Sequence, residues 1–288
     1  MAVILSFAQS EPKSPLWAAG PEGLFTVKQK TGNITIDPVT QPQTDLFCCA
    51  TADDRVLVGG LPHGVAFSLD SGKNWQAGWM DGVTTPVLCI VAAPDVEKSG
   101  VLLAGAAGGG ILRSRDRGAS WSVCNFGLHD YMVLTVAWAP LAPAGAWPQR
   151  EIVFGGTEEG IYRSPNGGRG WKRVEGINNT EISAVFQTLA VAPNFHENGV
   201  VLAGSEESGL WRSDDGGYTF APVDGAPQRV DALCFTDNGA MLSDASSLWS
   251  SKDGFKWKKV PKSHASLVLF PSKKGIWIGG EFGVEQLS

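Results

Sequence analysis

Short apolar segments alternate with turn-forming residues along the whole chain. In one stretch, apolar residues occupy positions 87–93, 101–104 and 111–112, and small or polar residues separate these runs. Runs of this length that end at Gly or Pro indicate β-strands. A fourth segment at 121–124 follows a polar turn. The pattern therefore predicts a meander of four short strands, which we label A to D.

A polar turn motif, Ser-x-Asp-x-Gly-x-x-Trp, precedes strand D in this unit and recurs along the chain. Its copies begin at Ser68, Ser114, Ser164, Ser213 and Ser251, and they close on Trp75, Trp121, Trp171, Phe220 and Trp257. The third copy has Asn in place of Asp, and the last is one residue shorter. Ser and Asp side chains bond backbone N–H groups in such turns, and Gly permits a positive φ. We therefore predict that the turn residues are structural and that the closing aromatics pack between sheets.

The turns recur at the spacing of a propeller blade. Successive closing aromatics are 46, 50, 49 and 37 residues apart. Strand A recurs seven times, at 2–8, 46–50, 87–93, 133–138, 188–192, 232–236 and 266–270, and strand B also recurs seven times. Four strands per repeat of this length are typical of β-propellers. We predict an all-β, single-domain β-propeller over residues 1–288, built from four-stranded antiparallel blades. Seven blades are expected, and the alternative is a six-bladed ring whose two weak ends share one blade.

Composition narrows the class of protein. The net charge of −6 argues against nucleic acid as the main partner, and the 43% of hydrophobic residues is enough for a sizeable core. Cys48, Cys49, Cys89 and Cys234 lie in apolar runs without a C-x-x-C pair, which indicates buried free thiols and a reducing, cytoplasmic location. The apolar segment at 2–8 is too short to span a membrane. We expect a soluble monomer that has no membrane span and needs no cofactor.

The repeated turns resemble Asp-boxes, the repeats of bacterial neuraminidases. The unit at 192–204, followed by 209–213, is similar to repeats of sortilin-type and photosystem II stability/assembly-factor-like propellers. The resemblance covers nearly the whole chain and implies the propeller fold. It does not fix an activity, because the family includes sialidases, xyloglucanases, receptors and assembly factors.

The residues that sialidases use are not matched here. The family's sialidases require an arginine triad, a Tyr–Glu nucleophile pair and an Asp acid/base. In this chain Arg113, Arg163 and Arg212 lie in Arg-Ser pairs beside the turns, and Tyr131 is the only Tyr outside a turn motif or a predicted C strand. We therefore expect no sialidase activity. The basic patch associated with the assembly-factor group also disagrees with the net acidity of the chain.

The resemblance places the D–A and B–C loops on one face of the ring, which we call the top face, and ligands of such propellers meet that face. The B–C loops contribute the candidate residues His63, Glu158, Glu206 and Glu281, and the D–A loops contribute His129, Asp130, Tyr131, Glu181, Arg229, Asp231 and His264. The simplest interpretation is that the carboxylates are solvated turn residues. A second is an acidic funnel for a cationic ligand or a basic protein surface.

A third interpretation is a catalytic or metal site. Asp130 with Asp231, or Glu158 with Glu206, could perform acid/base chemistry on a glycosidic bond. His63, His129 and His264 with Asp130 could hold a metal ion, but no contiguous ligand spacing supports one and we assign none.

We predict a binding or assembly scaffold that contacts a protein partner, or a small polar or cationic ligand, on its acidic top face. The alternative is a carbohydrate-active glycoside hydrolase or lyase that uses the top-face carboxylates. Carboxylate geometry separates the two hypotheses, because a hydrolase needs two carboxylates about 5–10 Å apart across a pocket.

Overall fold

The computed structural model describes residues 2–30, 33–41, 45–61, 64–145, 151–177 and 185–287, and these ranges form seven sheets whose consecutive strands are antiparallel. Blade one contains β1 (Ser6–Ala8), β2 (Leu16–Gly20), β3 (Gly23–Lys30) and β4 (Asn33–Pro38). Blade two contains β5 (Leu46–Ala52), β6 (Arg55–Gly60), β7 (Gly64–Ser68) and β8 (Gln76–Ala77), and β9 (Trp79–Met80) follows it. Blade three contains β10 (Val87–Ala92), β11 (Leu102–Ala106), β12 (Gly110–Ser114) and β13 (Ser120–Val123).

The remaining blades repeat this order. Blade four contains β14 (Val133–Trp138), β15 (Val153–Thr157), β16 (Ile161–Ser164) and β17 (Lys172–Arg173). Blade five contains β18 (Phe186–Val191), β19 (Val201–Ser205), β20 (Leu210–Ser213) and β21 (Ala221–Pro222). Blade six contains β22 (Ala232–Thr236), β23 (Gly239–Ser243), β24 (Leu248–Ser251) and β25 (Lys258–Lys259), and blade seven contains β26 (Val268–Ser272), β27 (Gly275–Gly280) and β28 (Gly283–Leu287). Two short helices, α1 (Val96–Ser99) and α2 (Phe195–Asn198), lie in A–B loops.

The seven-bladed propeller is confirmed, and the six-bladed alternative is wrong. The first sheet has four strands of its own and the last sheet has three, so the two ends of the chain do not share a blade. Two details differ from the expected meander. Only Ser6–Ala8 of the segment at 2–8 is a strand, and β9 pairs in parallel with β13, which adds a fifth strand to the third sheet.

The burial of strand B, the second strand of each blade, explains why its sequence is a continuous apolar run. Every residue of β11, β15 and β19 is buried, because each second strand lies inside its sheet and has a neighbouring blade on both faces. The first strands of adjacent blades contact one another around the ring. Their half-buried positions, as in β10 and β14, therefore face the central channel.

The chain closes its ring by packing blade seven against blade one. The Ile4 N–H donates to the Gly280 carbonyl at 3.1 Å, and the rings of Phe7 and Phe270 lie 6.2 Å apart. Ile4 is fully buried in the apolar cluster between the two blades. Apolar contact between complete sheets thus replaces the shared strand of the six-bladed hypothesis.

The polar turns form the predicted hydrogen bonds. In blade five, the Ser213 hydroxyl accepts the Gly217 N–H at 2.9 Å and donates to Asp215, whose carboxylate accepts the N–H groups of Tyr218 and Thr219. Gly217 has φ 81°, and a side chain there would overlap the ring of Phe154 in the preceding blade. Glycine is therefore required both for the backbone conformation and for the close approach of two blades.

The closing aromatics connect each blade to the one before it. Trp121 is 1% exposed, packs in the apolar cluster between blades two and three, and donates its indole N–H to the Gly118 carbonyl at 3.0 Å. Arginines of the third strands strengthen the same joints. Arg163 donates to the Gly216 carbonyl in the turn of the next blade at 2.8 Å. Each turn therefore joins two blades.

All five cysteines are free thiols; Cys48, Cys49 and Cys234 are buried as predicted, whereas Cys89 is only partly buried. Burial raises the pKa of both Cys49 and Cys234 to about 12, so these thiols remain protonated near neutral pH. No helix in the described ranges has the length and apolar character that crossing a bilayer requires.

Candidate functional site on the top face

Contacts between loops define the top face in the structure. The Glu159 N–H in a B–C loop donates to the Asp130 carboxylate in a D–A loop at 2.9 Å. Arg229, in another D–A loop, forms an ion pair with Glu206 in the B–C loop of blade five. The two sets of loops thus lie at the same end of the blades, as the antiparallel meander requires.

One group on this face is Glu206, Arg229, Asp231 and Gln187, which we call the Arg229 cluster. The Arg229 Nε lies 2.7 Å from the Asp231 Oδ1, and its Nη1 lies 3.1 Å from the Glu206 Oε1. The Gln187 amide donates to the same Asp231 oxygen at 3.3 Å and to the Val230 carbonyl at 3.1 Å. One guanidinium therefore bridges carboxylates from two different loops.

A β-bulge places Gln187 in this cluster. The register of β18 and β19 shifts between Phe186 and Thr188, which leaves Gln187 as the extra residue of its strand. Bulges commonly redirect a side chain at the rim of a sheet. Here the extra residue lies at the top end of strand A, where its amide reaches the next blade.

The cluster combines a buried anchor with an exposed ion pair. The Asp231 side chain is 9% exposed, whereas the side chains of Arg229 and Glu206 are 45% and 49% exposed. The hydrogen bond that Arg229 donates to Asp231 and the charges of both carboxylates raise the pKa of Arg229, and the slight burial of the guanidinium opposes this shift. The guanidinium is thus a permanent cation in a fixed orientation. A ligand can reach both this cation and the exposed carboxylate of Glu206.

A small cavity lies next to the cluster. It has a volume of about 440 Å³ and is lined by residues 207–211 and 222–228, which directly follow Glu206 and precede Arg229 in the sequence. A cavity of this size can hold a small ligand or a side chain of a partner.

Asp130 holds two loops together. One carboxylate oxygen accepts the Met132 N–H and the other accepts the Glu159 N–H, both at 2.9 Å. The neighbouring side chains His129, Tyr131 and Glu158 are exposed. Asp130 thus fixes the backbone that presents these side chains on the top face.

A second contact on the top face involves His264. Its Nε2 lies 3.0 Å from the Glu285 Oε2, and its ring centroid lies 4.9 Å from that of Phe282. Glu281 is exposed in the same B–C loop as Phe282. The structure therefore gives His264 a carboxylate partner from β28 that the sequence pattern did not suggest.

The candidate residues form separate groups. Asp130 and Asp231 bond to different partners, and Glu206 pairs with Arg229. Within the described ranges, no group of three or more His, Cys, Asp and Glu side chains is arranged to hold a metal ion. His63 and Glu181 lie outside the described residues.

Sequence reasoning missed Gln187, Asp244 and Glu285. Asp244 accepts the backbone N–H groups of Ser246 and Ser247 and the indole N–H of Trp249. Of the three, Asp244 could have been found, because an Asp followed two and three residues later by Ser is a turn signal. The other two depend on a bulge and on the packing of a strand from the last blade.

No family model and no curated protein matches the sequence. The fold is similar to that of an extracellular domain of a putative one-component system from B. thetaiotaomicron, with a TM-score of 0.73 and 14% identity over 98% of this chain and 38% of that chain. It is also similar to YCF48 bound to D1 peptide, with a TM-score of 0.72 and 15% identity over 98% of this chain and 90% of that chain.

A third similar structure is the WD40 β-propeller domain of Doa1, with a TM-score of 0.68 and 14% identity over 98% of this chain and 91% of that chain. The chain thus spans just over a third of the length of the one-component-system structure and about nine tenths of the other two. At these identities the likeness concerns the fold. Membership of the Asp-box family stays a prediction.

Proposed function

We propose that this chain is a binding or assembly scaffold whose top face contacts a protein partner at the Arg229 cluster. The observation that carries the proposal is the geometry of that cluster, in which one half-exposed guanidinium is fixed between a mostly buried and an exposed carboxylate. Oriented charges of both signs favour specific recognition of another polar surface.

The surroundings of the cluster favour a protein over a small ligand. Tyr131 and Glu158 lie exposed on blades three and four, and His264 and Glu281 lie on the loops of blades six and seven. A surface that extends over several blades fits a macromolecular partner, and exposed Tyr is common at protein interfaces. The similarity to YCF48 bound to D1 peptide is consistent with this choice but concerns the fold.

The glycoside hydrolase or lyase is less well supported. Glu206 and Asp231 both form ion pairs with Arg229, so the Arg229 guanidinium lies between the two carboxylates. A glycosidase acid must donate a proton as a neutral carboxyl group to the leaving oxygen.

We extend the proposal to a monomeric chain in the cytoplasm that folds as one domain.

A quantitative capture experiment tests the proposal. The immobilised full chain and its Glu206→Gln/Arg229→Gln variant are exposed to extract of the native host, and bound proteins are compared by mass spectrometry. The control is Glu151→Gln/Arg169→Gln on the opposite face, whose ion pair at 3.0 Å has similar exposure. We expect to recover proteins that bind the wild type and the control. The amount of these proteins captured by the top-face variant should be about tenfold or more lower.

Equal capture by all three chains would contradict a top-face partner. A parallel thermal-shift screen against divalent metals, oligosaccharides and polyamines separates the alternatives. A ligand at 100 times its Kd stabilises by about 2.7 kcal/mol. An oligosaccharide shift that is lost in the top-face variant would favour the hydrolase or lyase instead.

A further inference from the structure

The top end of strand A carries a β-bulge at the same position in every blade. In blades two to five the register of strand A shifts by one residue, which leaves one extra residue in each, namely Phe47, Leu88, Leu134 and Gln187. In blades one, six and seven the equivalent residues are Leu5, Asp231 and Leu267. Each of these donates its N–H to the second-strand carbonyl opposite the following residue. We call these seven residues the bulge ring.

The bulge ring surrounds the top end of the central channel, which we call the channel mouth. The first strands of neighbouring blades contact one another around the whole ring. Bulges redirect side chains at the end of a sheet, and the Gln187 amide reaches the Asp231 carboxylate of the next blade at 3.3 Å. Side chains at neighbouring positions of the bulge ring therefore lie side by side around the channel mouth.

Five members of the bulge ring are apolar, and they lie on consecutive blades from blade seven through blade one to blade four. Leu267 is 39% exposed, and the other four, Leu5, Phe47, Leu88 and Leu134, are half-buried. Among the described residues, none of the five belongs to the apolar clusters that fill the joints between blades. They thus form an apolar arc at the channel mouth, and exposed apolar surface of this kind is typical of binding sites.

The apolar arc directly adjoins the Arg229 cluster. The two polar members of the bulge ring, Gln187 on blade five and Asp231 on blade six, are both part of that cluster. Blades four and seven, at the two ends of the arc, are the neighbours of blades five and six. The channel mouth is therefore amphipathic, with apolar side chains on five blades and a fixed ion pair on the other two.

Carboxylates accompany the apolar arc around the channel mouth. The Glu22 carboxylate accepts the Val3 N–H at 3.1 Å, beside the bulge of blade one. Asp45 is exposed two residues before the bulge of blade two. The Arg229 cluster adds two carboxylates and one guanidinium, so these groups together carry four negative charges and one positive charge. An occupant of the channel mouth is therefore favoured if basic residues flank the part that contacts the arc.

We propose that the channel mouth binds a segment of the partner protein in which one bulky apolar side chain is flanked by basic residues. The apolar side chain enters the channel mouth and packs against the apolar arc, and the basic side chains pair with Glu22, Asp45 and Glu206. An apolar anchor in a desolvated centre with charged surroundings is the usual source of affinity in protein interfaces. This inference rests on the top-face scaffold proposed above and adds the chemistry of the segment that it recognises.

Synthetic peptides test the proposal directly. The probe is a fluorescent nine-residue peptide with a central Phe, two Lys on each side of it and Gly at the remaining positions, and its binding to the full chain is followed by anisotropy. One control peptide has Ser in place of Phe, and another has Glu in place of Lys. We expect the probe to bind about tenfold or more tightly than either control. Equal affinity for the Phe and Ser peptides, tighter binding of the Glu peptide, or no binding by any peptide would overturn the proposal.

Variants of the chain locate the site. Phe47→Ser/Leu88→Ser removes two side chains of the arc and is expected to weaken the probe about tenfold or more. The matched control is Leu69→Ser/Val123→Ser, which removes two exposed apolar side chains of the same blades outside the channel mouth and should bind the probe like wild type.

A second variant guards against loss of folding. Glu22 and Asp45 are exposed, so Glu22→Gln/Asp45→Asn is expected to keep the wild-type Tm and to weaken the probe about tenfold. Wild-type affinity in this variant and in Phe47→Ser/Leu88→Ser would overturn binding at the channel mouth.

The capture experiment separates this inference from the proposed function. We expect Phe47→Ser/Leu88→Ser to lose the same proteins as Glu206→Gln/Arg229→Gln. Full capture by the first variant with loss by the second would overturn the role of the apolar arc and leave the top-face scaffold intact.

Discussion

At the residue scale, the chain repeatedly uses a Ser–Asp pair to satisfy the backbone of one tight turn. The Asp70 carboxylate accepts the Asn74 N–H and side-chain amide, and Asn166 accepts two N–H groups in the same way with an uncharged side chain. The geometry of the turn therefore needs an acceptor oxygen and not a negative charge. The charge adds a dependence on pH.

The acidic turns predict a specific loss of stability at low pH. Hydrogen bonds from Asn74 lower the pKa of Asp70 to about 2, and backbone N–H groups of Lys256 and Phe255 lower that of Asp253 to about 2, from 3.8. Because folding lowers these pKa values, the stabilisation is present above 3.8 and is lost as the pH falls through about 2. The urea concentration at the unfolding midpoint should therefore decrease as the pH is lowered from about 4 to about 2.

The matched variant is Asp70→Asn/Asp253→Asn, which reproduces the natural Asn of the turn in blade four. We expect a shallower decline of the unfolding midpoint over the same pH range. A decline as steep as that of the wild type would exclude these carboxylates as its source.

The closing aromatics give the largest predicted effect of a single residue. Trp121 is fully buried between two blades, so Trp121→Ala should cost about 3–5 kcal/mol in the free energy of unfolding. Urea denaturation monitored by circular dichroism measures this change. Trp79, which is 63% exposed, is the control, and an equal effect of both substitutions would refute a core role for Trp121.

At the scale of elements, the joints between blades depend on arginine as well as on aromatic packing. The buried Arg163 guanidinium donates to the Gly216 carbonyl and lies 4.1 Å from the ring centroid of Tyr218. Arg163→Met should cost about 1–3 kcal/mol, because the turn loses a charge-assisted hydrogen bond and a cation–π contact. The control is Arg115→Met at an exposed position, which should change the free energy of unfolding little in the same assay. A similar cost at both sites would contradict a stabilising role of Arg163 between the blades.

Much of the fold could be predicted because turn and strand signals are local. Ser114, Asp116 and Trp121 lie within eight consecutive residues, and their roles follow from side-chain chemistry at short range. The pairing of β9 with β13 and the position of Ile4 against blade seven depend on contacts between distant segments. No local pattern encodes them.

The candidate site was less predictable because it depends on contacts between distant segments. Glu206, Arg229 and Asp231 were proposed from loop position, and the structure joins them in one cluster. Gln187 joins them through a bulge whose position depends on strand register. His264 contacts Glu285, and His129 lies on another blade, so similar residue types at similar loop positions did not form one site.

At the scale of the whole molecule, two surfaces of one ring have opposite charge character. The top face carries the Arg229 cluster and most of the candidate carboxylates, whereas five lysines line a cavity between blades six and seven, namely Lys252, Lys256, Lys258, Lys273 and Lys274. Because the ring is closed by apolar packing, both surfaces are held in a fixed relation.

Hydrogen–deuterium exchange of the full chain, with and without the partner recovered by capture, tests the central claim most directly. We expect slower exchange in loops 204–208 and 228–232 and no change in the bottom turn at 214–219. Protection of the bottom turn with unchanged exchange in both top loops would contradict a top-face scaffold.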